Sequence, residues 1–342
     1  MKRLKKVSDD VTIKRLKNTI GGIIMMKLKN IKGNTFWIRG GTNTGVYIFE
    51  DRSALLIDTG LGGERQERMI EILDDNNITV KYIISTHEHE DHSGGNHQIK
   101  ERYKDVKIFS SYKSKLYIEN PDIYMDFLTG GRRTQILEKE LSKYILHPNK
   151  IDEVIYPGQT LKLNGHDFEI VDCSGHTEGC IAVITDDKVA FFADLMISKN
   201  SLEKFEFLFM SDYSSQIKSL DRVRILDFEL GILGHSSKIY SKKEMMEVAD
   251  YNYEALMGLV EFVLNFLEEP RTFDELIKEF LDRRKLTCNY IAYLEYRNSL
   301  NATISYLLDT DVIDYRLDNN ILKYVINKDV LKGKDGLLYC DV

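Results

Sequence analysis

Ser85-Thr86-His87-Glu88-His89-Glu90-Asp91-His92-Ser93-Gly94-Gly95 gathers three of the chain's eight histidines, together with Asp91, into the six residues from His87 to His92. Upstream, Lys81 to Ser85 contains Tyr82, Ile83 and Ile84 and reads as a short apolar strand. Downstream, Gly94 and Gly95 lead into a predicted helix over Asn96 to Tyr103. A loop held between two rigid elements keeps metal ligands in place. The alternation of His87 and His89 lets both point to one side. Asp91 and His92 then turn towards a second ion, with the separation of about 3.5–4 Å that two-metal hydrolytic sites require. The plainer reading is a polar surface loop that happens to hold histidines, and the clustering argues against it.

Working upstream, the chain is β-rich from Asn34. Thr35 to Ile38 and Val46 to Phe49 read as strands around a turn at Gly40 to Gly45, and Ala54 to Asp58 follows a tight turn at Glu50 to Ser53. Asp58 ends its strand with a carboxylate. That group either stabilises a turn or hydrogen-bonds the outer nitrogen of a ligand histidine and fixes its tautomer. Glu64 to Asp75 carries Met69, Ile70, Ile72 and Leu73 at helical spacing, so helices and strands alternate as in a layered structure.

Downstream, residues 111–150 behave differently. Tyr112, Tyr117, Tyr124, Phe127 and Leu128 are scattered among polar residues, and Arg132 to Tyr144 reads as a charged amphipathic helix. The β pattern resumes from Val154 to Thr185. Asp167 to Asp172 is a strand that delivers His176, flanked by Gly175 and Gly179, where close backbone approach suits a ligand. Val189 to Asp194 ends an apolar run on a carboxylate, which is costly unless paired or metal-bound. Asp212 to Arg224 reads as a helix, after which Asp227 to Gly234 brings in His235. Four strand ends thus each offer a metal-type ligand.

The order and spacing of His-x-His-x-Asp-His, His176, Asp194 and His235 resemble the metallo-β-lactamase-fold hydrolases across about residues 30–240. The resemblance implies an α+β architecture, a four-layer αβ/βα sandwich over 26–240. It implies that His87, His89 and His176 bind one metal, that Asp91, His92 and His235 bind a second, and that Asp194 bridges them. Asp58 would orient a ligand histidine, the first strand would begin near Met26, and residues 111–150 would be a helical insertion overhanging the site. Two positions depart from the pattern: Ser174 stands where relatives often have proline, and Ser236 where they often have glycine. Imidazole and carboxylate ligands favour two zinc ions, with iron or manganese also compatible. Cys173 and Cys180 flank His176 and read as packed thiols, because the histidine and carboxylate set is complete without them.

The implied chemistry is hydrolysis by a metal-bridging hydroxide, with Asp91 also accepting or relaying a proton. Asp194 at the late position, rather than cysteine, and His92 after Asp91 resemble thioesterases of the glyoxalase II type, or lactonases, more than β-lactamases. Histidine at position 89 departs from the diiron flavoproteins, which usually carry glutamate there. A small ester or thioester is therefore the expected substrate. The alternative is a metal-dependent endoribonuclease resembling human lactamase-like protein two, and a non-catalytic metal-binding module is a third reading. Phe191, Phe192, Phe205, Phe207, Phe209 and Met210 line an acyl pocket or belong to the core, and core is the preferred reading.

Residues 241–342 read as a second, small domain. An apolar face runs over Ala255 to Glu268 and ends at Pro270. Thr272-Phe273-Asp274-Glu275 is a capping box opening a helix over Leu276 to Leu281, and a third helix covers Ala302 to Leu308. Val312 to Leu317 and Ile321 to Ile326 form a hairpin, so three helices and a hairpin resemble a winged helix. That region is acidic, and the positive charge of the chain is concentrated in residues 1–30, at +7 against a net charge of −7 overall. Phosphate backbones need positive charge, so nucleic acid is not the expected partner, and a packing module or a homodimer contact is the better assignment for the second domain. Residues 1–25 read as a basic extension. No apolar run approaches the ~18–20 residues that span a bilayer, and four cysteines without C-x-x-C spacing point to a reducing cytoplasm.

Overall fold

Runs of β-branched and aromatic residues in the first 241 positions build two sheets, seen in a computed structural model that describes residues 26–141, 147–205 and 209–328. The first sheet has seven strands in chain order: β1 (Leu28–Lys32), β2 (Thr35–Ile38), β3 (Thr44–Ile48), β4 (Ser53–Ile57), β5 (Thr79–Ser85), β6 (Lys107–Ser110) and β7 (Glu153–Val154). Pairing is antiparallel up to β4 and parallel from β4 onward. The second sheet has six: β8 (Thr160–Leu163), β9 (His166–Asp172), β10 (Ile181–Ile184), β11 (Val189–Phe191), β12 (Leu230–Ile232) and β13 (Tyr240–Ser241). Its β11–β12 pair is parallel and its other pairs are antiparallel.

The core lies in two layers. One joins the sheets through Trp37, Tyr47, Phe49, Leu55, Phe168, Val183 and Phe191. The sheets approach so closely at Gly45 that a Cβ there would lie 2.7 Å from the Phe191 ring. The other layer packs the outer face of the first sheet, with Leu56, Ile83 and Ile108, under helix α1 (Glu64–Asp75) and its neighbours. Helix α1 forms where the sequence predicts it. Its buried positions Gln66, Met69, Ile72 and Leu73 recur at helical spacing, and each fully buried Leu, Ile or Met contributes about 1.5–3 kcal/mol.

Helices α2 (Glu90–Ser93) and α3 (Asn96–Arg102) follow the histidine loop. The 111–150 insertion is more helical than its scattered aromatics suggest. It holds α4 (Tyr112–Glu119), α5 (Pro121–Thr129) and α6 (Gln135–Leu141). Ser111 caps α4 by accepting from Ser114 N–H, and Asn120 and Pro121 mark the break to α5, a capping signal hidden in a polar stretch. The predicted helix over 132–144 extends partly outside the described residues, and the basic segment 1–25 and Phe207 lie wholly outside them. Phe191 and Phe192 are core residues; Phe191 joins the inter-sheet layer and Phe192 packs edge-on against Phe228.

The chain divides into two compact units. Among the described residues, the sandwich unit comprises 26–141, 147–172, 179–194 and 227–242, and the second comprises 173–178, 195–205, 209–226 and 243–328. The second unit holds α7 (Lys199–Phe205), α8 (Tyr213–Arg222), α9 (Lys242–Phe266), α10 (Phe273–Arg283), α11 (Tyr290–Asp309) and a hairpin of β14 (Ile313–Asp318) and β15 (Ile321–Ile326). The α10 capping box is present, with Thr272 N–H donating to Glu275 and Glu275 N–H returning to Thr272 Oγ1. Asn319 and Asn320 both take positive φ, the backbone that a two-residue hairpin turn requires.

Two helices begin at least twelve residues before their predicted starts. Helix α9 begins thirteen residues before the predicted Ala255. Asn252 interrupts its apolar stripe in sequence, yet its buried amide donates to Ile197 C=O at 2.9 Å and accepts from Ile197 N–H at 3.2 Å. Helix α11 begins at Tyr290 rather than Ala302, because Asn289 caps it and Ser299 and Thr303 occupy its buried face, each returning its hydroxyl to the carbonyl four residues back. Among the described residues, Cys173, Cys180 and Cys288 form no disulfide, and no helix is long and apolar enough to cross a membrane.

Candidate metal centre

Parallel pairing of β4 with β5, and of β11 with β12, carries four strand carboxyl ends to one end of the sandwich. Asp58 follows β4, His87 to His92 follow β5, Asp194 follows β11 and His235 follows β12. Two of these exits use left-handed backbone: Asp58 has φ 59° and Ala193 has φ 46°. Such a conformation costs a side-chain-bearing residue about 1–2 kcal/mol, and here it turns the chain sharply at the strand end.

Asp58 is the hub. Its Oδ1 accepts from Thr86 N–H at 2.8 Å, and its Oδ2 accepts from Thr86 Oγ1–H and His92 Nδ1–H, both at 2.7 Å. Thr86 thereby spends its hydrogen on Asp58, so its Oγ1 accepts from His87 Nδ1–H at 3.1 Å. His235 Nδ1–H donates to Gly41 C=O at 2.8 Å. His87, His92 and His235 are thus each held by Nδ1, leaving Nε2 to face inward. His92 Nε2 lies 3.3 Å from Asp194 Oδ1, and His235 Nε2 lies 3.1 Å from Asp194 Oδ2 and 3.2 Å from Asp91 Oδ2. His87 Nε2 meets His89 Nδ1 at 3.2 Å, while His89 Nε2 lies 2.8 Å from Tyr124 Oη on α5.

Burial and charge oppose each other throughout. Burial pushes the His92 imidazole down, but Asp194, Asp58 and Asp91 outweigh it and raise the group to about 10. The same contest, with Asp194 and Asp91, leaves His235 well above its ordinary value. Burial would raise Asp91 and Asp194, yet the adjacent imidazoles hold both carboxyls low. The pocket therefore concentrates negative potential on a small volume that favours positive charge, whether carried by protons or by a metal cation.

The residues fit a metal. The ligand atoms of His87, His92 and Asp194 all lie within 4.8 Å of one another, as do those of Asp91, His92 and His235. His92 is fully buried, and its Nε2 has no hydrogen-bond partner although it faces a carboxylate oxygen at 3.3 Å. A nitrogen and a carboxylate oxygen that approach without hydrogen-bond geometry are arranged as two donors to a common ion. Asp91 and His235 keep 37% and 34% of their side chains exposed, so the pocket is open on their side.

Six of the seven ligand candidates read from the sequence belong to the sandwich unit. The seventh, His176, lies on the 173–178 segment of the second unit. There its Nδ1–H donates to Phe209 C=O at 2.7 Å, so the ring shares the Nδ1 anchor of His87, His92 and His235. Sequence reasoning missed Thr42, whose hydroxyl donates to Asp91 Oδ2 at 3.1 Å, and Arg65. Half-buried Arg65 bonds Thr59 C=O, Thr42 C=O at 2.8 Å and Thr44 Oγ1 at 3.1 Å, tying the loop that carries Gly41 and Thr42 to the one that carries Thr59. No local signal distinguishes Arg65 from the other charged residues of α1. Thr86 was legible only as the residue before the first histidine.

Comparison with known families decides the lineage. The model of the metallo-beta-lactamase superfamily matches residues 37–235, from β2 to the last candidate ligand. The chain belongs to the metallo-beta-lactamase superfamily. Among curated members it is 27% identical over 201 residues to a hydroxyacylglutathione hydrolase of Prochlorococcus marinus, matching 57% of this chain and 66% of the relative. It is 30% identical over 198 residues to hydroxyacylglutathione hydrolase GloC of Haemophilus influenzae, matching 55% of this chain and 82% of the relative. The match thus spans just under two thirds of the first relative's length. A beta-lactamase domain protein from Burkholderia ambifaria superimposes with a TM-score of 0.68 at 16% identity, covering 87% of this chain and 94% of that one, which shows the shared fold.

Proposed function

We propose that the chain is a dinuclear metal-dependent thioester hydrolase acting on acyl thioesters of the hydroxyacylglutathione type. The observation that carries this reading is the anchoring of the ligand imidazoles through one nitrogen, with the other nitrogens of His92 and His235 aimed at Asp194. The names of the curated relatives supply the substrate class. In this reading His87, His89 and His176 would hold one zinc ion and Asp91, His92 and His235 a second, with Asp194 completing the ligand set.

Bound divalent ions supply Lewis acidity towards a carbonyl and lower the pKa of water from 15.7 towards about 7. The chain's own residues do the rest. Asp58 keeps His92 in the Nδ1–H tautomer, and Gly41 does the same for His235. Thr42 and His235 fix the carboxylate of Asp91, the half-exposed group placed to take up and pass on a proton. The buried inter-sheet layer behind the strand ends excludes water from the rear of the site.

The test is thiol release from a hydroxyacyl-glutathione thioester by the zinc-loaded full chain, with His89→Ala as the paired control. Release by the native protein and its loss in the variant are expected. Native protein with confirmed zinc that leaves the thioester intact would overturn the substrate assignment and move weight to lactones, then to RNA.

A further inference from the structure

His89 is held differently from the other ligand imidazoles. The outer nitrogens of His87, His92, His235 and His176 bond Thr86, Asp58, Gly41 and Phe209 respectively. His89 Nε2 instead meets Tyr124 Oη at 2.8 Å, and Tyr124 belongs to α5 of the 111–150 insertion. The two rings pack edge to face, with centroids 5.5 Å apart, and Tyr124 packs in turn on Tyr117 of α4 at 5.6 Å.

Proton accounting gives this contact a direction. Because His87 donates through Nδ1 to Thr86, its Nε2 presents a lone pair towards His89 Nδ1, 3.2 Å away. If His89 Nδ1 is also to present a lone pair to an ion, its Nε2 must carry the hydrogen and Tyr124 Oη must accept it. A phenol that donated instead would place the hydrogen on Nδ1 and remove His89 from any ligand set. Helix α5 has few apolar anchors of its own: its buried residues are Pro121 and Leu128, whereas Ile123 and Phe127 are about half exposed.

We propose that Tyr124 is a positioning residue that couples the insertion to ion binding. Its hydroxyl holds His89 in the tautomer that ligates through Nδ1, and an ion that demands that tautomer in turn seats α5 at the site. Linkage makes the coupling reciprocal: whatever factor the seated helix adds to ion affinity, the ion adds to the seating of the helix. This inference rests on the metal-dependent reading above.

The test compares full-length wild type with Tyr124→Phe, which keeps both ring contacts and removes only the hydroxyl. Zinc affinity is measured by competition with a chromophoric chelator, and amide hydrogen exchange over 112–129 is followed with and without zinc. One of the zinc ions is expected to bind about 10- to 100-fold more weakly in the variant. Zinc-dependent protection of 121–129 should fall with it, while β5 stays equally protected in both proteins. Equal affinity and equal protection in the two would overturn the role of Tyr124 and leave the metal-dependent reading intact. Zinc binding by wild type without any zinc-dependent protection of 121–129 would overturn the coupling. Wild type that takes up no zinc would overturn the metal-dependent reading and this inference together.

Discussion

Gly234 lies directly against Asp194: a Cβ added at Gly234 would stand 2.2 Å from Asp194 Oδ1 and 2.9 Å from His92 Cε1. The Asp194 carboxylate and the His92 ring occupy the space that any side chain would need, so the residue before His235 sets the width of the pocket. Gly234→Ala is expected to cost about 1–3 kcal/mol of stability through overpacking. Displacing Asp194 by even about 1 Å should lower thioester turnover by roughly 100-fold. Metal content after dialysis and turnover at saturating substrate check this together. A variant with full metal content and wild-type turnover would show that Asp194 is free to move aside.

Arg65 is half-buried, and its guanidinium bonds go to backbone carbonyls and a threonine hydroxyl. Burial lowers its pKa to about 10, against the opposing charges of Asp91 and Asp58. Lysine cannot reproduce a planar fork that reaches Thr59, Thr42 and Thr44 at once. Arg65→Lys is expected to lose about 1–3 kcal/mol in denaturant unfolding, because a buried carbonyl is left unpaired. Zinc affinity should fall as well, since Gly41 and Thr42, which bond His235 and Asp91, sit on the loop that Arg65 holds. A destabilised variant with unchanged zinc affinity would separate the two roles.

The opposite end of the sandwich carries a titratable cluster that includes none of the candidate metal ligands. His166 Nδ1 lies 3.0 Å from Asp186 and 2.9 Å from Tyr47 Oη, and Nε2 lies 3.2 Å from Glu50. The bond to Asp186, opposed by partial burial and assisted by Glu50, raises the imidazole above its ordinary value. A raised histidine stabilises the fold fully below its unfolded pKa of about 6.5 and loses that contribution as pH rises through the folded value. His166→Gln should therefore lower Tm by roughly 1–2 °C at pH 5.5, discounted for exposed carboxylate partners, with the gap closing towards pH 9. A gap that widens with pH would reverse the assignment.

Much of this arrangement was legible in the chain because the residues that make it are clustered or stand at strand ends. The His87–His92 loop, Asp194 after its apolar run and His235 after Gly234 all carry a local signal. Helix α1 was readable for a similar reason, since Met69, Ile72 and Leu73 alone fix its buried face. The misses share a cause. Asn252, Ser299 and Thr303 are polar residues whose partners are backbone groups, some of them distant in sequence, so they read as interruptions of α9 and α11. Tyr124 is one aromatic among several in a polar insertion, and nothing near it in sequence announces a histidine 35 positions away. Sequence patterns report burial well; they do not report which buried or half-buried polar group meets which.

The parallel strand pairs have an engineering consequence. Because every candidate ligand of the sandwich unit follows a strand's carboxyl end, the turns at 49–52, 164–165 and 185–188, which surround His166, bear mainly on folding. Lys162, beside the 164–165 turn and with its side chain 75% exposed, is a natural point at which to attach a surface anchor or a fluorescent label. A protein immobilised there would present its candidate metal centre away from the support, and the loops that carry that centre could be exchanged without touching the attachment.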